Sequence, residues 1–303
     1  MNLHRIDLVS LSLFNLVARC GSISKGAELA HLAVGAASKR ISDLEDSVGA
    51  ALLERHSRGV VLTPAGQALH RHAQRILADV DQLAADLSDH ASGIVGVVRL
   101  WANTSAVTQF LPADLARFIA AHPGIRIELQ ERDSSDAVLA VLDGRADLGI
   151  FAERTATLGL QTLLFRRDRL VLVVPKAHAL AGQARIAFAQ ATEFEFVGLS
   201  QATSLAQRLA LEAQAMGRSL RVRIHVRSFD AMCQMVAAGL GLAVLPEAAV
   251  QPHLKSMGLQ RIGLTDAWAD RELLIGARDL RALERPARLL LDHLRQPPAP
   301  VAS

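Results

Sequence analysis

The stretch that most constrains the fold lies at residues 24–48, SKGAELAHLAVGAASKRISDLEDSV. Its second half spaces apolar residues three and four positions apart, which places them on one face of a helix. That predicted buried face consists of Ala37, Ile41, Leu44 and Val48. The first half begins at Ser24, which we expect to be the N-cap of a preceding helix. That helix offers a packing face of small and aliphatic residues, namely Ala27, Leu29, Ala30 and Leu32. The pattern predicts a helix-turn-helix.

The outward face of the second helix changes in chemistry along its length. Small and basic residues come first, and Asp43 and Asp46 follow. A helix inserted into the major groove of DNA touches base edges with its N-terminal turns, so the acidic end would point away from phosphates. An ordinary amphipathic helix pair in a helical core has the same periodicity, and periodicity alone leaves both interpretations open. The residues of this segment predicted to contact DNA are Ser24, Val34, Gly35, Ser38, Lys39, Arg40 and Ser42.

A short hairpin is predicted directly after this segment, in LLERHSRGVVLTPAG at residues 52–66. Arg58 and Gly59 supply the turn, and Thr63 and Pro64 suit the N-cap and first position of a following helix. A basic hairpin tip beside a helix-turn-helix forms a wing that reaches backbone phosphates or an adjacent minor groove. Arg55 and Arg58 are therefore further predicted DNA contacts, and the combination favours DNA binding.

In this order of elements, and in LLERHSRGVVLTPAG above all, the first 66 residues resemble the DNA-binding domain of LysR-type transcriptional regulators. In that family the recognition helix tends to open with a Ser or Thr cap followed by Gln and Pro. Here those positions are Ala33, Val34 and Gly35. The missing cap weakens the helix start by about 1 kcal/mol. Without Gln the helix lacks a side chain that bonds adenine edges, whereas Val34 suits a thymine methyl group.

Charge and composition limit how this region binds DNA and where the chain resides. The net charge is +3, yet the first 66 residues hold seven Lys or Arg against six Asp or Glu. Affinity for DNA then depends on the placement of single cations and not on bulk charge. With 303 residues, 50% of them apolar, the chain resembles a globular protein of two or three domains. Lacking a membrane-length apolar run and a signal-peptide pattern, it is expected in the cytoplasm.

The two cysteines, Cys20 and Cys233, are expected to fall in different domains and to remain reduced. Some LysR-type regulators sense oxidants through cysteines, which keeps a redox role for Cys233 open. A buried, inert thiol is the favoured interpretation.

A long helix is predicted from residue 64 to about residue 89, because the segment holds neither Gly nor Pro after Gly66. Its apolar residues recur in alternating steps of three and four, which is typical of a coiled-coil seam. A stripe of this kind needs a partner, so we expect a homodimer, and the LysR-type resemblance implies the same. The seam consists of Leu69, Ala73, Ile76, Val80, Leu83 and Leu87.

After residue 93 strands and helices alternate, which predicts two α/β lobes with largely parallel sheets. The chain is expected to cross between lobes near residues 165–169 and 267–271. The segments FLPADLARFIAAHPGIRIEL, GRADLGI and MVAAGLGLAVLP resemble the effector domain of LysR-type regulators, which is like a type 2 periplasmic binding protein. Expected strands are 95–102, 125–130, 146–151, 170–174, 194–199, 222–226, 242–245 and 272–276, and expected helices are 110–121, 135–142, 205–216, 230–238 and 285–294.

The predicted domain organisation has three parts. Residues 1–66 form an all-α winged helix-turn-helix, and residues 67–92 form the linker and dimerisation helix. Residues 93–303 form the effector domain, with lobe I at about 93–165 and 270–295 and lobe II at about 166–269. The Pro-rich tail, 296–303, is expected to be disordered.

Hydroxyl-rich segments follow one strand of each lobe, where ligands gather in open α/β sheets. Helix N-termini at these places offer free N–H groups, which suit a small anionic effector such as a carboxylate. The alternative is that the same residues are ordinary N-caps. Phe151 and Phe229 are candidates for apolar walls of the site, or else belong to the core. The predicted polar contacts are Asn103, Thr104 and Ser105 in one lobe and Ser200, Thr203 and Ser204 in the other.

No catalytic constellation, cofactor fingerprint or metal-ligand spacing occurs in the sequence, and the 11 histidines are scattered. An enzyme built on the α/β part would leave the helix-turn-helix and the long helix unexplained. A second alternative is a metabolite-sensing module that acts through protein partners, with a DNA-binding domain that no longer reads bases. The resemblance implies a regulator that binds an interrupted inverted repeat as dimers paired into tetramers and alters access of RNA polymerase.

Overall fold

The computed structural model describes the backbone of residues 6–56, 59–91 and 96–296, and the side chains of these residues except 78 and 81–91. The chain divides into two compact units, residues 1–93 and 94–303. Among the described residues, no helix combines the length and the apolar character that a membrane crossing requires. The tail predicted to be disordered, from residue 297 onward, lies outside the described residues.

The N-terminal unit begins with α1 (Leu8–Cys20), α2 (Ile23–Leu29) and α3 (Val34–Val48). The hairpin strands β1 (Leu53–His56) and β2 (Gly59–Leu62) follow, and then the long helix α4 (Pro64–Ala91). The strands pair antiparallel, with Arg55 opposite Val60. These elements confirm the predicted helix-turn-helix, hairpin and long helix, while residues 57–58, which include Arg58, lie outside the described residues.

Two helix starts in this unit show where the sequence patterns were right and wrong. Thr63 caps α4 as predicted, since its Oγ1 accepts a hydrogen bond from the Gly66 N–H at 2.9 Å. The prediction that Ser24 is the N-cap of α2 is wrong. Ser22 takes that position because its backbone is extended and its hydroxyl accepts from the Lys25 N–H, whereas Ser24 lies within the helix.

The core of this unit depends on the close approach of α2 to α1. A Cβ atom at Gly26 would lie 2.5 Å from Val17 Cγ2, so only glycine allows this spacing. Ala27 is fully buried beside it, whereas Leu29, predicted to pack inward, is 57% exposed. Two positions along a helix correspond to roughly 200° of rotation, which turns Leu29 away once Ala27 faces the core.

The C-terminal unit alternates strands and helices. Its first half contains β3 (Gly96–Ala102), α5 (Thr104–Gln109), α6 (Leu111–Ala121), β4 (Ile125–Glu131), α7 (Ser134–Leu142), β5 (Leu148–Ala152), β6 (Gln161–Pro175) and β7 (Arg185–Ile186). Its second half contains α8 (Phe188–Ala191), β8 (Glu195–Leu199), α9 (Ser204–Ala215), β9 (Arg221–Val226), α10 (Phe229–Ala237), β10 (Ala243–Pro246), α11 (Glu247–Val250), α12 (His253–Ser256), β11 (Leu259–Leu264), β12 (Asp270–Ala277) and α13 (Arg285–Arg295).

Strand β6 belongs to both lobes of this unit. Its first part pairs antiparallel with β12 in the order β4-β3-β5-β12-β6, where β3 lies parallel to β4 and β5. Its second part pairs with β10 and β11. We call the first set of strands lobe I and the second, with the parallel pair β8 and β9, lobe II. The predicted two-lobed α/β fold is confirmed.

The helix predicted at residues 110–121 is preceded by a short helix, α5, that the sequence did not predict. The helix is interrupted at Phe110, and α6 begins at Leu111 with Pro112 in its first turn. Proline suits this position because the first N–H groups of a helix lack intrahelical acceptors. The break ends α5 after Gln109 and leaves Asn103 as its N-cap.

Candidate functional site

The recognition helix α3 packs through the face that the sequence predicted. Ala37, Ile41 and Leu44 are buried, and Val48 packs against the same cluster. Burying a side chain such as Ile41 or Leu44 contributes about 1.5–3 kcal/mol. The N-cap Ala33 makes no side-chain hydrogen bond to the helix start. Helix α3 is therefore held by its buried face and not by its first turn.

The opposite face of α3 presents the predicted DNA contacts. Val34 is 50% exposed, and a Cβ atom at Gly35 would meet nothing within 4 Å. Lys39 is exposed, while Ser38 and Ser42 are partly buried. The N-terminal turns of the helix thus combine an apolar contact, an open backbone position and one exposed cation. Ser24, on α2, is also exposed.

Arg40 is engaged within the unit. Its Nη1 donates to Asp7 at 3.1 Å and to Ser10 Oγ at 3.1 Å. Asp7 is also the N-cap of α1, and the hydrogen bond from the Ser10 N–H holds the pKa of Asp7 below its ordinary value. Arg40 therefore ties α3 to the start of α1, and any contact with phosphate competes with this ion pair. Its role in DNA binding stays a prediction.

The hairpin places Arg55 on an exposed strand position, since only Leu53 of β1 is buried. The hairpin is anchored by Gly66, where an added Cβ would lie 2.1 Å from the Leu52 carbonyl oxygen. Glu45 Oε1 accepts hydrogen bonds from the N–H groups of Leu52 and Leu53 at 2.7 and 3.1 Å. The hairpin thus has a fixed position relative to α3.

In the C-terminal unit, most of the predicted effector contacts come together between the lobes. We call this space, of about 10 Å³, the hydroxyl pocket. Such a volume is roughly what one water molecule occupies. Its lining residues are Asn103, Thr104, Ser105, Asp133, Ser134, Leu199, Thr203, Ser204, Leu205 and Phe229.

Hydrogen bonds between the lining groups keep the hydroxyl pocket small. Ser134 Oγ accepts from Asn103 Nδ2 and from the Ala152 N–H, and it donates to Ser204 Oγ across the two lobes, each at 3.2 Å. Thr104 Oγ1 donates to Glu131 at 2.7 Å. Ser134 carries no signal in the sequence beyond its position at the start of a helix.

The hydroxyl pocket also contains a carboxyl group that the sequence analysis missed. Burial, with the neighbouring carboxylates of Asp136 and Glu131, raises the pKa of Asp133. This acidic side chain opposes the binding of an anion in the hydroxyl pocket, where the sequence pattern suggested a carboxylate.

Phe151, Phe229 and Ser200, which complete the predicted contacts, differ in their surroundings. Phe151 is fully buried in a cluster with Trp101 and Val138, so it belongs to the core of lobe I. Phe229 is 3% exposed and serves both the hydroxyl pocket and the core of lobe II. Ser200 bonds through its backbone, as its carbonyl accepts from the Thr203 N–H and hydroxyl.

A larger space of about 210 Å³ lies next to the hydroxyl pocket and shares Ser134 and Ser204 with it. We call it the charged cavity. Lobe I contributes Glu153 and Arg154 from the loop after β5, and lobe II contributes Arg208 and Leu211 from α9 and Trp268 from a turn before β12. The sequence analysis missed these residues, although Glu153 and Arg154 follow the carboxyl end of a strand, the position used to find the others.

Arg271 links the two spaces. It is 8% exposed, and its guanidinium bonds both oxygens of Asp168, with distances of 2.5 Å from Nε and 2.6 Å from Nη2. The same Nη2 donates to Ser105 Oγ at 2.9 Å. Because Asp168 lies on β6 and Arg271 on β12, this buried pair joins the two crossing strands to the start of α5.

Neither a thiol nor a metal cluster adds to these sites. Cys233 is fully buried in lobe II. This burial and, to a smaller extent, the nearby negative charge of Asp230 raise the pKa of the Cys233 thiol to about 11. Such a thiol is almost entirely protonated near neutral pH and a poor nucleophile. Within the described parts of the chain, His, Cys, Asp and Glu side chains form no group of three or more able to hold a metal ion.

Two models of known protein families match this chain, one in each unit. The family model described as a bacterial regulatory helix-turn-helix protein of the lysR family matches residues 8–67. The LysR substrate binding domain model matches residues 91–297. One model thus matches most of each unit, and residues 68–90 lie between the two matches.

Relatives and solved structures agree with these matches. The probable HTH-type transcriptional regulator LrrA of Synechococcus elongatus is 28% identical over 296 residues, covering 96% of this chain and 97% of the relative. The RuBisCO operon transcriptional regulator of Allochromatium vinosum is 27% identical over 257 residues, or 84% of each chain. The fold matches full-length CbnR complexed with its target DNA, with a TM-score of 0.72 at 19% identity, covering 96% of this chain and 99% of CbnR. The chain belongs to the LysR family of transcriptional regulators.

Proposed function

We propose that this chain binds promoter DNA through its N-terminal unit and that a small molecule held between the lobes of the C-terminal unit modulates that binding. The observation that carries the proposal is the exposed N-terminal end of α3, with Val34, Gly35 and Lys39 outward beside a hairpin that exposes Arg55. An exposed helix start and a neighbouring cation are the groups that reach base edges and phosphates. The function is regulatory and not enzymatic, and it is exerted in the cytoplasm.

The long helix α4 suits self-association. Leu69 packs into the core of the N-terminal unit and Ala73 is buried, whereas Ile76 further along is 42% exposed. An apolar stripe that leaves its own domain calls for a second helix. We infer a dimer through α4, paired into a tetramer, with two recognition helices per dimer on an inverted repeat. The seam positions Leu83 and Leu87 lie outside the described side chains.

The cleft is the proposed effector site because both lobes contribute polar groups to it. The Ser134 and Ser204 hydroxyls bond across it, and Arg271 connects it to the crossing strands. A ligand that binds there replaces or adds contacts between the lobes and so changes their relative angle. That change alters DNA bending and the access of RNA polymerase.

The test is capture of fragmented DNA from the source genome by the purified full-length protein, at moderate and at high salt, followed by sequencing. We expect enrichment of a few palindromic sites that is lost at high salt, because phosphate contacts release counterions. Lys39→Ala should weaken binding to an enriched site by about tenfold while leaving the melting temperature unchanged. Lys255→Ala, an exposed lysine on α12, is the matched control and should bind like the unaltered protein.

Unchanged affinity of Lys39→Ala would remove α3 as the DNA-reading element. If no sequence is enriched at either salt concentration, the alternative of a metabolite-sensing module that acts through protein partners is favoured. The substitution of the family's polar residues by Ala33, Val34 and Gly35 would then account for the loss of base reading.

A further inference from the structure

The charged cavity holds two charged groups whose partners are distant. Glu153 Oε1 lies 3.7 Å from Arg208 Nη1, and Arg154 Nη1 lies 3.8 Å from Glu212 Oε1. Both distances exceed hydrogen-bond range. Glu153 and Arg154 are also the pair that lobe I contributes side by side from the loop after β5. One anion and one cation thus face the same space with hydrogen-bonding capacity to spare.

The other charges that line the charged cavity have counter-ions at shorter distances. Arg208 Nε lies 2.7 Å from Glu212 Oε1 without the geometry of a hydrogen bond, and the guanidinium lies 5.8 Å from the centre of the Trp268 ring. Glu272 Oε1 lies 2.8 Å from Arg167 Nη2, and Arg271 is bound to Asp168. These counter-ions lie at 2.5–2.8 Å, whereas those of Glu153 and Arg154 lie at 3.7–3.8 Å, so Glu153 and Arg154 have more room to bond the charges of a ligand.

Glu153 is held in place for such a role. Its Oε2 accepts a hydrogen bond from the Glu272 N–H at 2.7 Å, which fixes the carboxylate against β12 and leaves Oε1 toward the cavity. Arg154 has a side chain that is 65% exposed and is free to adjust. A fixed anion beside an adjustable cation fits a ligand that carries an ammonium and a carboxylate on the same carbon atom.

A ligand with a single negative charge fits less well. Its carboxylate would gain Arg154 but would bring a second anion near Glu153, and like charges repel. A ligand with a single positive charge meets the reverse problem at Arg154. A ligand with both charges satisfies both groups and leaves the net charge of the charged cavity unchanged.

Part of the remaining wall is apolar. Trp268 packs in lobe II against Phe188 with 5.0 Å between ring centres, and Leu211 is 56% exposed. Ala152, Ala156 and Ala202 complete this part of the lining. Exposed apolar groups facing a cavity gain free energy when an apolar group covers them.

We propose that the charged cavity binds a zwitterionic α-amino acid with an apolar side chain. The ammonium group lies on Glu153, the carboxylate on Arg154, and the side chain against Trp268 and Leu211. This inference rests on the proposed function, for which it names the effector class. Because Glu153 and Arg154 belong to lobe I and Trp268 and Leu211 to lobe II, the ligand contacts both lobes at once.

The test begins with the unaltered full-length protein. Thermal unfolding is followed with each standard L-amino acid at millimolar concentration, and the apolar amino acid with the largest stabilisation is titrated by calorimetry. Its des-amino carboxylic acid and its decarboxylated amine are titrated in parallel. We expect each truncated compound to bind about tenfold to about a hundredfold more weakly, because each loses a hydrogen-bonded charge.

Two variants assign the charges. Glu153→Gln should weaken the amino acid and the amine by about tenfold and leave the carboxylic acid unchanged, because glutamine keeps the bond to the Glu272 N–H. Arg154→Gln should weaken the amino acid and the carboxylic acid and spare the amine. Glu284→Gln and Arg227→Gln, at exposed positions outside the charged cavity, are matched controls and should bind all three compounds as the unaltered protein does.

The inference is overturned if the carboxylic acid binds as tightly as the amino acid, or if none of the amino acids stabilises the protein. Neither result affects DNA capture, so the proposed regulatory function would stand. Conversely, amino acid binding without any enriched DNA would retain the ligand class and remove the proposed function.

Discussion

The hydroxyl pocket and the charged cavity lie side by side between the same lobes, share Ser134 and Ser204, and differ about twentyfold in volume. In the hydroxyl pocket short polar groups reach one another and close the space. In the charged cavity, long charged side chains either pair within their own lobe or lie 3.7–3.8 Å from a partner on the other lobe. The space between them stays open.

The difference shows that polar residues at a cleft do not by themselves make a binding site. Hydroxyl and amide groups that satisfy each other gain little from a ligand, because any new hydrogen bond replaces an existing one. Charged groups with distant partners can form the stronger, charge-assisted hydrogen bonds with a ligand. The hydroxyl pocket is therefore a contact between lobes, and we propose the charged cavity as the ligand site.

The largest expected effect comes from breaking the link between the two spaces. Arg271→Leu leaves Asp168 buried without its cation, and we expect the free energy of unfolding of the C-terminal unit to fall by about 3–5 kcal/mol. Chemical denaturation of the full-length protein measures this change. Arg167→Leu, which removes a 74% exposed ion-pair partner from the same strand, is the control and should change stability by less than about 1 kcal/mol. Equal effects of the two substitutions would show that burial of the pair has no special role.

A smaller effect is expected from opening the hydroxyl pocket. Ser134→Ala removes the oxygen that bonds Asn103, Ala152 and Ser204, and it should cost about 1–3 kcal/mol because buried polar groups lose a partner. Thermal and chemical unfolding provide the measurement. Ser135→Ala, at the exposed neighbouring position, should be close to neutral. A stable Ser134→Ala variant would mean that the bond across the lobes contributes little to closing this space.

The smallest effect concerns the acidic side chain in the hydroxyl pocket. The folded-state pKa of Asp133 is raised above its ordinary value of 3.8, so the folded chain keeps this proton to a higher pH than the unfolded chain. Its contribution to stability is greatest below pH 3.8 and declines as pH rises through the folded-state pKa. Asp133→Asn should remove this decline and be slightly more stable than the unaltered protein near neutral pH. The test measures the free energy of unfolding across the acidic pH range, with the exposed Asp292→Asn as control. If Asp133→Asn and the unaltered protein depend on pH in the same way, Asp133 is not the source of the decline.

The sequence predicted the buried face of the recognition helix because the signals for that face are local. The spacing of Ala37, Ile41 and Leu44 within one helix fixes which face is buried, whatever the rest of the chain does. Most of the hydroxyl pocket could also be predicted, since hydroxyl groups that follow strands gather at the carboxyl ends of the strands in each lobe. These predictions depended on regular geometry alone.

The charged cavity could not be predicted in the same way. Its residues come from a loop, the middle of α9, a turn and β12, and no spacing in the sequence relates Glu153 to Arg208 or Trp268. The same limit explains Arg40, whose partner Asp7 is 33 positions away and caps another helix. Which charges neutralise each other depends on tertiary packing, which local patterns do not contain.

Strand β6 has a mechanical consequence for the whole C-terminal unit. Its pairing partner changes from β12 to β10 between Arg169 and Leu170, with no interruption of the strand. A rotation of one lobe against the other therefore has to be absorbed as added twist in a hydrogen-bonded ribbon, which resists it more as the angle grows. The continuous strand therefore favours one angle between the lobes. A ligand that changes this angle has to twist the strand.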